Sequence, residues 1–581
     1  MGALDWAIVA AFVPVVVFLA YRKPTLADRA ADRFVGGRKM SWILLGGSLA
    51  ATSLSTDTPI LIAGAFYGDG LAGNWFWLAS VPGTMATLFF FARYWRRSGV
   101  LTKVEILSAR YGSGQSTRWL RAATAVFDGG LVNILVLSAV AYGCNLVIES
   151  IFGISNAPLF ELGPLNFSFA SLLTAAMTCL TAVYTLTGGF KGVVRTDLLQ
   201  LCVAVLASAF LAALAVRSGM GTFGSYEGLV RALPEPTKVF DLFNTDDVSI
   251  ALLLMFGWWQ SATGSGIFVQ RIVSAKNESE ATLTAFAFAI IHYVIRVWPW
   301  YAIGAMALIY FPNLGENELA FPMVAEKFLP QGGLGLMVIG LISAFMSTVD
   351  SRLNWGASYM VNDVVGPFSK NLDYRGSRRA EIAAIAVTTI CVLMITFCDV
   401  MTSILSIYKY LMLLQAGYAF AAIARWYWWR MTIWAELAAF ASSLVLGNLL
   451  AVLIDLDSGN GFAVAMALNS VICGALTLIT AVWTSRSGPS LPCREFSHRV
   501  GVGGPGWFKD GAPHVMPSAG VPFGKTVLHW LASVVMIYAA IAMIGALAVL
   551  NWWTAGGSAI VMSAAFFWLL LHRTDLNSVL N

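Results

Sequence analysis

Charged residues are scarce in this sequence. They make up 12% of its 581 residues, about half of the roughly 25% that soluble domains carry. Hydrophobic residues make up 58%, and a soluble protein this apolar would expose patches that monomers rarely tolerate. The apolar residues also fall in blocks of roughly 20, the length of a helix that spans a bilayer. The composition therefore excludes an ordinary soluble domain and predicts an all-α polytopic membrane protein.

Motifs of other protein classes are missing as well. The loops contain no Walker motif, no kinase signature and no His-Glu-x-x-His zinc motif. The seven cysteines follow no pairing pattern, and six of them lie inside apolar segments, where they serve as small core residues. We expect a protein that is not an enzyme, with no organic cofactor, no nucleic-acid partner and no obligate protein partner. A membrane enzyme or sensor is the remote alternative.

About fifteen apolar segments follow one another along the chain, and we number them as predicted helices one to fifteen. Their approximate ranges are 5–21, 41–68, 73–95, 122–152, 168–187, 194–217, 248–272, 281–311, 334–362, 379–399, 401–427, 433–454, 462–485, 527–550 and 555–571. No basic region precedes the first segment and no small-residue cleavage site follows it. We therefore expect a retained helix there rather than a signal peptide.

Basic residues are concentrated in every second loop. The loop after helix one carries Arg22, Lys23, Arg29, Arg33, Arg38 and Lys39. The loop after helix three carries Arg93, Arg96, Arg97, Lys103, Arg110, Arg118 and Arg121. The loop after helix five carries Lys191 and Arg195, the loop after helix seven carries Arg271 and Lys276, and the loop after helix nine carries Lys370, Arg375, Arg378 and Arg379. The intervening loops carry acids such as Glu161, Asp246 and Glu316. By the positive-inside rule the N-terminus is outside and the C-terminus cytoplasmic. We expect a multi-pass protein of the plasma membrane, of the bacterial inner-membrane kind.

Two of the predicted helices are interrupted. Helix two reads GGSLAATSLSTDTP at 46–59, where Pro59 removes a backbone donor, and helix seven reads GWWQSATGSG at 257–266. Irregular backbone at membrane depth persists only where it is buried in protein or lines a cavity. Broken helices in corresponding positions point to the binding site of a transporter, although Gly and Pro are also common in ordinary membrane helices.

The five-helix spacing of the two interruptions predicts a division of the chain. We expect repeats at about 41–217 and 248–427 within a transporter core at 41–430. Residues 1–40 would form an N-terminal helix and a cytoplasmic loop, and residues 431–581 would form C-terminal helices. The Gly- and Pro-rich stretch at about 486–526 is predicted to be a cytoplasmic surface loop.

Four motifs carry a family resemblance. They are VEILSARYG at 104–112, YTLTGGFKGVVRTDLLQ at 184–200, VQRIVSAKNESEA at 269–281 and LPQGGLGLMVIGLISAFMSTVDSRLN at 329–354. In this order they resemble the sodium:solute symporter family, which includes the sodium/glucose and sodium/proline cotransporters. The resemblance implies a LeuT-type 5+5 inverted repeat with one helix before the core and about four after it. It also implies sodium-coupled symport of a small polar organic solute into the cell.

The resemblance further implies a sodium site between the first broken helix and helix nine. Its ligands would be the carbonyls of Ala51 and Leu54 with Ala344, Ser347 and Thr348. Sodium, a hard cation, prefers oxygen ligands, although Ser and Thr in membrane helices can instead bond back to their own helix. Some family members bind a second sodium, for which the positions here are Asp197, Ser347, Asp350 and Ser351. Asp350 replaces the usual serine, so it could hold a cation more tightly or pair with Arg352.

Buried ionisable groups are costly in a membrane and are therefore functional candidates. The expected solute site contains Ser55, Asp57, Thr58, Trp259, Gln260, Ser265, His292 and Arg296. Arg296 could instead be structural or reach the interface, and the tryptophan could be packing. Sugar-carrying members place Asn, Tyr and Lys where this chain has Ser265, Ile267 and His292. The resemblance therefore does not extend to a glucose or galactose site.

Proton coupling is the alternative to sodium coupling on the same fold. Asp57, Asp197 and Asp350 would then carry the proton. The solute itself is left open, because sugars, amino acids, carboxylates and vitamins are all carried by this scaffold.

Overall fold

The part of the chain that the structure describes is mostly helical. The computed structural model describes residues 2–20, 34–152, 157–244, 247–369, 372–486, 488–502, 506–507 and 522–573. The residues Arg22, Lys23, Arg29, Arg33, Asp246 and Lys370, and the parts 487, 503–505 and 508–521 of the predicted loop 486–526, lie outside the described residues.

Long helices alternate with short ones. Up to residue 289 the α-helices are Ala3–Ala20, Trp42–Thr52, Asp57–Asp69, Trp75–Leu78, Val81–Ala86, Ala92–Ser98, Ile106–Tyr111, Gln115–Ala125, Asn133–Phe152, Phe169–Phe223, Tyr226–Arg231, Pro236–Val239, Asp247–Leu252, Trp259–Ala262, Gly266–Ser274 and Glu278–Ala289. The later α-helices are Trp298–Tyr310, Ala320–Phe328, Gly333–Tyr359, Tyr374–Cys398, Ile404–Ala416, Ala419–Tyr427, Ile433–Leu453, Gly461–Thr484, Leu491–Val500, Phe523–Ala548 and Trp552–Leu571. The strands Phe160–Leu162 and Leu165–Phe167 pair antiparallel.

Each of the fifteen predicted segments contains helix. Among the described residues, 11 helical runs are long and apolar enough to cross a membrane, and the bent pair Ile404–Ala416 with Ala419–Tyr427 makes a twelfth. The other three segments contribute shorter apolar helices, Ala3–Phe12, Trp42–Thr52 and Val248–Ala262. Two of these short helices belong to the predicted interrupted segments, which explains why they fall below spanning length.

Both predicted interruptions are present. In the first broken helix, Trp42–Thr52 ends before a gap and Asp57–Asp69 resumes the helix. Pro59 lies in the first turn of the second half, where its missing N–H needs no intrahelical partner. In the second broken helix, Trp259–Ala262 is followed by Gly266–Ser274. Gly264 between them has φ +79°, a left-handed conformation that glycine adopts without a steric penalty.

The helices that follow each broken helix also correspond in detail. A π-helical turn occurs at Thr87–Phe91 in helix three and at Ile290–Ile295 in helix eight. Helices four and nine contain π-helical turns at Val126–Val132 and Met360–Val365. Such turns are rare in helices, so their recurrence five helices apart supports two related repeats. The exact repeat and domain boundaries remain predictions.

The loops that share a predicted side meet in the structure. Arg38, after helix one, donates to the carbonyl of Val100 after helix three. Arg96 donates to the carbonyl of Ala275 after helix seven at 2.7 Å. At the other end, Lys409 forms an ion pair with Asp457 at 2.8 Å. The alternation of loops between two ends is therefore consistent with the predicted helix order.

Three expectations about the loops need correction. The predicted loop after helix five, with Lys191 and Arg195, is helical, because Phe169–Phe223 is one continuous helix. Arg271 is not a loop residue, because it is fully buried in the helix Gly266–Ser274, where other polar groups compensate its charge. The first part of the predicted surface loop 486–526 is also packed, since it forms the helix Leu491–Val500 with Phe496 buried. The guanidinium of Arg110 lies 5.7 Å from the Phe496 ring and 5.1 Å from the Trp507 ring.

Helix four packs closely against the first broken helix. A Cβ at Gly143 would lie 2.9 Å from the Cα of Asp57, so we expect Gly143→Val to displace the half-helix Asp57–Asp69 and to reduce solute uptake at least tenfold. Gly130→Ala is the control, because a Cβ there meets only ordinary contacts from 3.7 Å. Uptake and the amount of folded protein would be measured together. Equal uptake by both variants would show that this close approach is not required.

Candidate ion and solute site

A cavity of about 340 Å³ lies between the two broken helices. Its volume is within the range of small-molecule sites, roughly 300–1,000 Å³. Its polar lining comes from six predicted helices and includes Thr52, Ser53, Ser55, Asp57, Thr58, Ser80, Thr84, Gln260, Ser261, Ser265, His292, Tyr293, Arg296, Thr348, Arg352 and Tyr408. Both helix interruptions therefore open into one space.

Most of the predicted solute residues line this cavity. They are Ser55, Asp57, Thr58, Gln260, Ser265, His292 and Arg296. Trp259 is the exception and corrects the prediction, because its ring packs against Phe256 and Phe420 with centroids 5.3 and 6.4 Å away. Successive helical residues are rotated by about 100°, so a turn that directs Gln260 into the cavity points Trp259 elsewhere.

Asp57 is the carboxylate of the cavity wall. Its side chain is buried, and the hydroxyl of Tyr408 donates to Oδ2 at 2.7 Å. Its other oxygen, Oδ1, has no hydrogen-bond partner among the described residues. Asp57 also begins the half-helix Asp57–Asp69, where the helix dipole favours a negative charge. Sequence reasoning missed Tyr408, which lies in helix eleven and carries no motif of its own.

The hydroxyls of Ser347 and Thr348 face different partners. Thr348 Oγ1 contacts the carbonyls of Thr52 and Leu54 in the break at 3.1 and 3.2 Å. Ser347 Oγ donates to Asp197 Oδ1 at 2.7 Å. The structure therefore brings Thr348 to the freed carbonyls and Ser347 to a carboxylate of helix six.

The remaining predicted sodium ligands are buried nearby. Ala51 lies at the end of the half-helix Trp42–Thr52, and its carbonyl accepts from Leu54 N at 2.9 Å. Ala344 is buried one turn before Thr348 in the helix Gly333–Tyr359. The set combines neutral carbonyl and hydroxyl oxygens, which suit a hard monovalent cation.

Arg296 caps the C-terminal end of the half-helix Trp42–Thr52. Its guanidinium donates to the carbonyls of Ala50 and Ser53 at 2.5 and 2.6 Å and also contacts His292 Nδ1 at 2.5 Å. A cation at a helix C-terminus stabilises carbonyls that have no intrahelical partner. Arg296 is 1% exposed, so it does not reach the membrane interface.

The predicted second-ion residues surround a buried guanidinium. Arg271 donates to Ser351 Oγ at 2.7 Å and to Thr52 Oγ1 at 3.0 Å, and it lies 3.8 Å from Asp197 Oδ2. Ser48 also bonds to that carboxylate oxygen. The polar groups around Asp197 therefore already enclose one positive charge.

Asp350 turns away from this cluster. Its Oδ2 accepts from the Tyr184 hydroxyl at 2.7 Å, and its Oδ1 has no hydrogen-bond partner among the described residues. It forms no ion pair with Arg352 in the described part of the chain, because Arg352 lines the cavity instead. The four predicted residues thus do not converge on one point.

Sequence reasoning missed Arg271 and Arg352 as site residues. Arg271 is grouped with the loop residue Lys276, and Arg352 enters only as an alternative partner for Asp350. The rule that an ionisable group inside a membrane helix is a functional candidate applies to both. The predicted range 248–272 of helix seven already includes Arg271, so treating it as a charge inside a membrane helix identifies it as a candidate.

Aromatic rings complete one wall of the cavity. Trp77 and Tyr293 stack with ring centroids 5.5 Å apart. Phe288 stacks on His292 at 4.5 Å. The site therefore pairs polar groups at the helix breaks with an apolar surface.

Comparisons with known proteins extend this description. The sequence profile of the sodium:solute symporter family matches residues 33–445. The sodium/glucose cotransporter of Vibrio parahaemolyticus is 26% identical over 384 residues, which cover 61% of this chain and 67% of that protein. The human sodium/myo-inositol cotransporter is 25% identical over 430 residues, covering 64% of this chain and 56% of that protein. The chain thus spans about half to two thirds of the length of these relatives.

A solved structure is similar to this chain in fold. A Na+-coupled sialic acid symporter in a substrate-bound outward-open state has a TM-score of 0.63 at 18% identity, covering 83% of this chain and 98% of that one. This similarity confirms the predicted LeuT-type helical fold. The family and these relatives are transporters rather than enzymes, and sodium is the ion they co-transport, as expected from the sequence. From the profile match over most of its length, the chain belongs to the sodium:solute symporter family.

Proposed function

We propose that this protein couples the entry of sodium to the uptake of a small polar organic solute by alternating access. One observation carries the proposal: the breaks in both broken helices open into one cavity, and the Thr348 hydroxyl contacts the freed carbonyl of Leu54. A transporter needs its ion and its solute to contact the same moving elements, because coupling is a shared free energy between two sites.

The sodium ion would bind beside this cavity. Its ligands would be the carbonyls of Ala51, Leu54 and Ala344 and the hydroxyls of Ser347 and Thr348. The ion would then link the half-helix Trp42–Thr52 to the helix Gly333–Tyr359, fixing one wall of the solute cavity. By reciprocity, a solute that favours the same arrangement raises the affinity for sodium.

We further propose a stoichiometry of one sodium ion. The cluster around Asp197 and Ser351 holds the guanidinium of Arg271, so a second cation would meet a fixed positive charge. Two positive charges in a buried site repel each other strongly, because the low dielectric interior screens them poorly. Measured sodium activation with a Hill coefficient near one would agree with this proposal.

The proposed location is the plasma membrane, of the bacterial inner-membrane kind. We place the loops after odd-numbered helices in the cytoplasm, with the N-terminus outside and the C-terminus inside. The support is the excess of Lys and Arg in those loops.

The test is uptake into proteoliposomes under a sodium gradient. A panel of radiolabelled sugars, amino acids, carboxylates and vitamins would be offered at fixed pH with sodium or with choline. We expect uptake only with sodium, increased by an inside-negative potential, because one charge moving through 100 mV is worth about 2.3 kcal/mol. Uptake in choline that follows a pH gradient would contradict sodium coupling and support proton carriage by the buried aspartates.

A further inference from the structure

We propose that the solute is a zwitterion whose carboxylate binds Arg352 and whose ammonium group binds Asp57. The inference rests on the function proposed above, since it assigns the solute class to the same cavity. Both residues line that cavity, and they enter it from different helices, Gly333–Tyr359 and Asp57–Asp69.

Arg352 is a cation without an ionic partner. Within the described residues it forms no ion pair, its Nε has no hydrogen-bond partner, and its one side-chain bond is a long contact of 3.5 Å to Asn133 Oδ1. A guanidinium stays charged in proteins and matches a carboxylate through two parallel hydrogen bonds. A cationic group with this much unused hydrogen-bonding capacity, facing a cavity at membrane depth, fits an anionic part of the solute.

Asp57 is the complementary anion. It is 1% exposed and has one polar contact, from the neutral Tyr408 hydroxyl, while its Oδ1 remains without a partner in the described part of the chain. No ion pair joins Asp57 to Arg352 among the described residues. The two side chains attract each other electrostatically without direct contact, so both keep hydrogen-bonding capacity for a solute.

The other ionisable groups of the cavity already have partners. Arg296 donates to the carbonyls of Ala50 and Ser53, and it contacts His292 as well. Arg296 has no ionic partner either, and its Nε has no hydrogen-bond partner among the described residues, but its terminal nitrogens are held by the backbone carbonyls. Asp57 and Arg352 are therefore the two charged side chains of the cavity with the most unused hydrogen-bonding capacity. A neutral sugar would leave both without an ionic partner, whereas a simple carboxylate would leave Asp57 and a simple amine would leave Arg352.

The ion and solute sites are adjacent in this arrangement. Thr348 and Arg352 are four residues apart in one helix, so their side chains lie on the same face. A carboxylate on Arg352 would therefore be bound close to the sodium ion, which favours cooperative binding of the two. The stacked rings of Trp77 and Tyr293 provide a surface for an apolar side chain. The geometry points to a neutral α-amino acid with an apolar side chain.

The experiment compares matched solutes in proteoliposomes under an inward sodium gradient. Radiolabelled leucine, phenylalanine and tryptophan would be offered singly, with each competed by its deaminated acid, its decarboxylated amine, or glucose. We expect at least one amino acid to enter with sodium, with both analogues at least tenfold weaker and glucose without effect. Loss of a hydrogen bond to a charged group costs about 1.5–3 kcal/mol, or roughly ten- to a hundredfold in affinity.

Charge-neutralising variants test which residue binds the carboxylate of the solute and which binds its ammonium group. Arg352→Gln should weaken the amino acid at least tenfold while leaving the affinity for the amine analogue nearly unchanged. Asp57→Asn should do the reverse, sparing the acid analogue. Lys409→Gln is the matched control, since Lys409 pairs with Asp457 and does not line the cavity. Stabilisation of each variant by sodium in thermal unfolding confirms that it is folded.

The outcomes separate this inference from the proposed function. Sodium-driven uptake of a sugar, or of a carboxylate that amino acids do not compete, would overturn the zwitterion and leave sodium symport intact. If an amino acid is taken up but Arg352→Gln and Asp57→Asn each weaken the binding of the acid and amine analogues equally, the assignment of the carboxylate to Arg352 and of the ammonium group to Asp57 is wrong. If no amino acid is taken up or stabilises the protein in sodium, the zwitterion is wrong. Sodium-independent uptake would overturn the proposed function itself.

Discussion

Arg271→Met is expected to destabilise the folded protein by about 3–5 kcal/mol, the usual cost of removing one partner of a buried ion pair. Arg271 is fully buried, and its guanidinium lies 3.8 Å from the Asp197 carboxylate. It also donates to Thr52 and Ser351. Methionine fills similar space but supplies no donor, so Asp197 would keep its charge without a cation nearby. The midpoint of thermal unfolding in detergent measures the loss.

A double variant shows whether charge is the cause. Adding Asp197→Asn to Arg271→Met removes the uncompensated carboxylate. The double variant should therefore unfold at a higher temperature than Arg271→Met alone. This non-additivity is the signature of two groups in direct contact. Purely additive losses would mean that Arg271 stabilises the helices through packing, including its contact with the Phe190 ring at 5.2 Å, and that its charge is incidental.

Thr348→Ala is expected to raise the sodium concentration for half-maximal uptake by roughly one to two orders of magnitude. The change removes one oxygen ligand that now contacts the carbonyls of Thr52 and Leu54, and a bond to a charged group is worth about 1.5–3 kcal/mol. Alanine is the best helix former, so the helix itself should persist. Ser347→Ala should act in the same direction, although it also removes a donor to Asp197.

Solute affinity provides the second measurement on these variants. At fixed sodium it should fall with sodium affinity, and it should recover when sodium is raised, because coupling is reciprocal. Ser343→Ala is the control, since its hydroxyl bonds to the carbonyl of Ile339 in its own helix at 2.5 Å. Equal damage from Ser343→Ala and Thr348→Ala, without rescue by sodium, would place the ion elsewhere.

The composition and the spacing of apolar segments were sufficient to predict a helical membrane architecture. The scarcity of charge identified a membrane protein, and each of the fifteen apolar blocks contains helix, although the fifth and sixth lie in one continuous helix, Phe169–Phe223. Apolar blocks predict helix because each segment must satisfy its own backbone in lipid. Pro59 and the glycines at 264 and 266 marked the two interruptions, since these residues alter the backbone locally. Such features depend on residues that are close together in the sequence, so the sequence alone predicts them.

The motif resemblance predicted the ion site, and position within the helix explains where its residues lie in the structure. Ser347 and Thr348 are adjacent residues with hydroxyl side chains, so the sequence predicts the same ligand role for both. Their rotation by about 100° sends one toward Asp197 and the other toward Leu54. For Trp259 and Gln260 the same rotation separates a packing residue from one that lines the cavity.

The sequence by itself determined the membrane class, the order of the helices and the two broken helices that flank the site. Only the tertiary structure decided which charges are compensated. Asp57 receives a hydrogen bond from Tyr408, 351 positions away, and Arg296 reaches the carbonyl of Ala50 across 246 positions. Asp350 meets Tyr184 rather than its neighbour in helix nine, Arg352. The physical reason is that hydrophobic periodicity reports whether a side chain is buried, whereas its partner is set by which helices pack together.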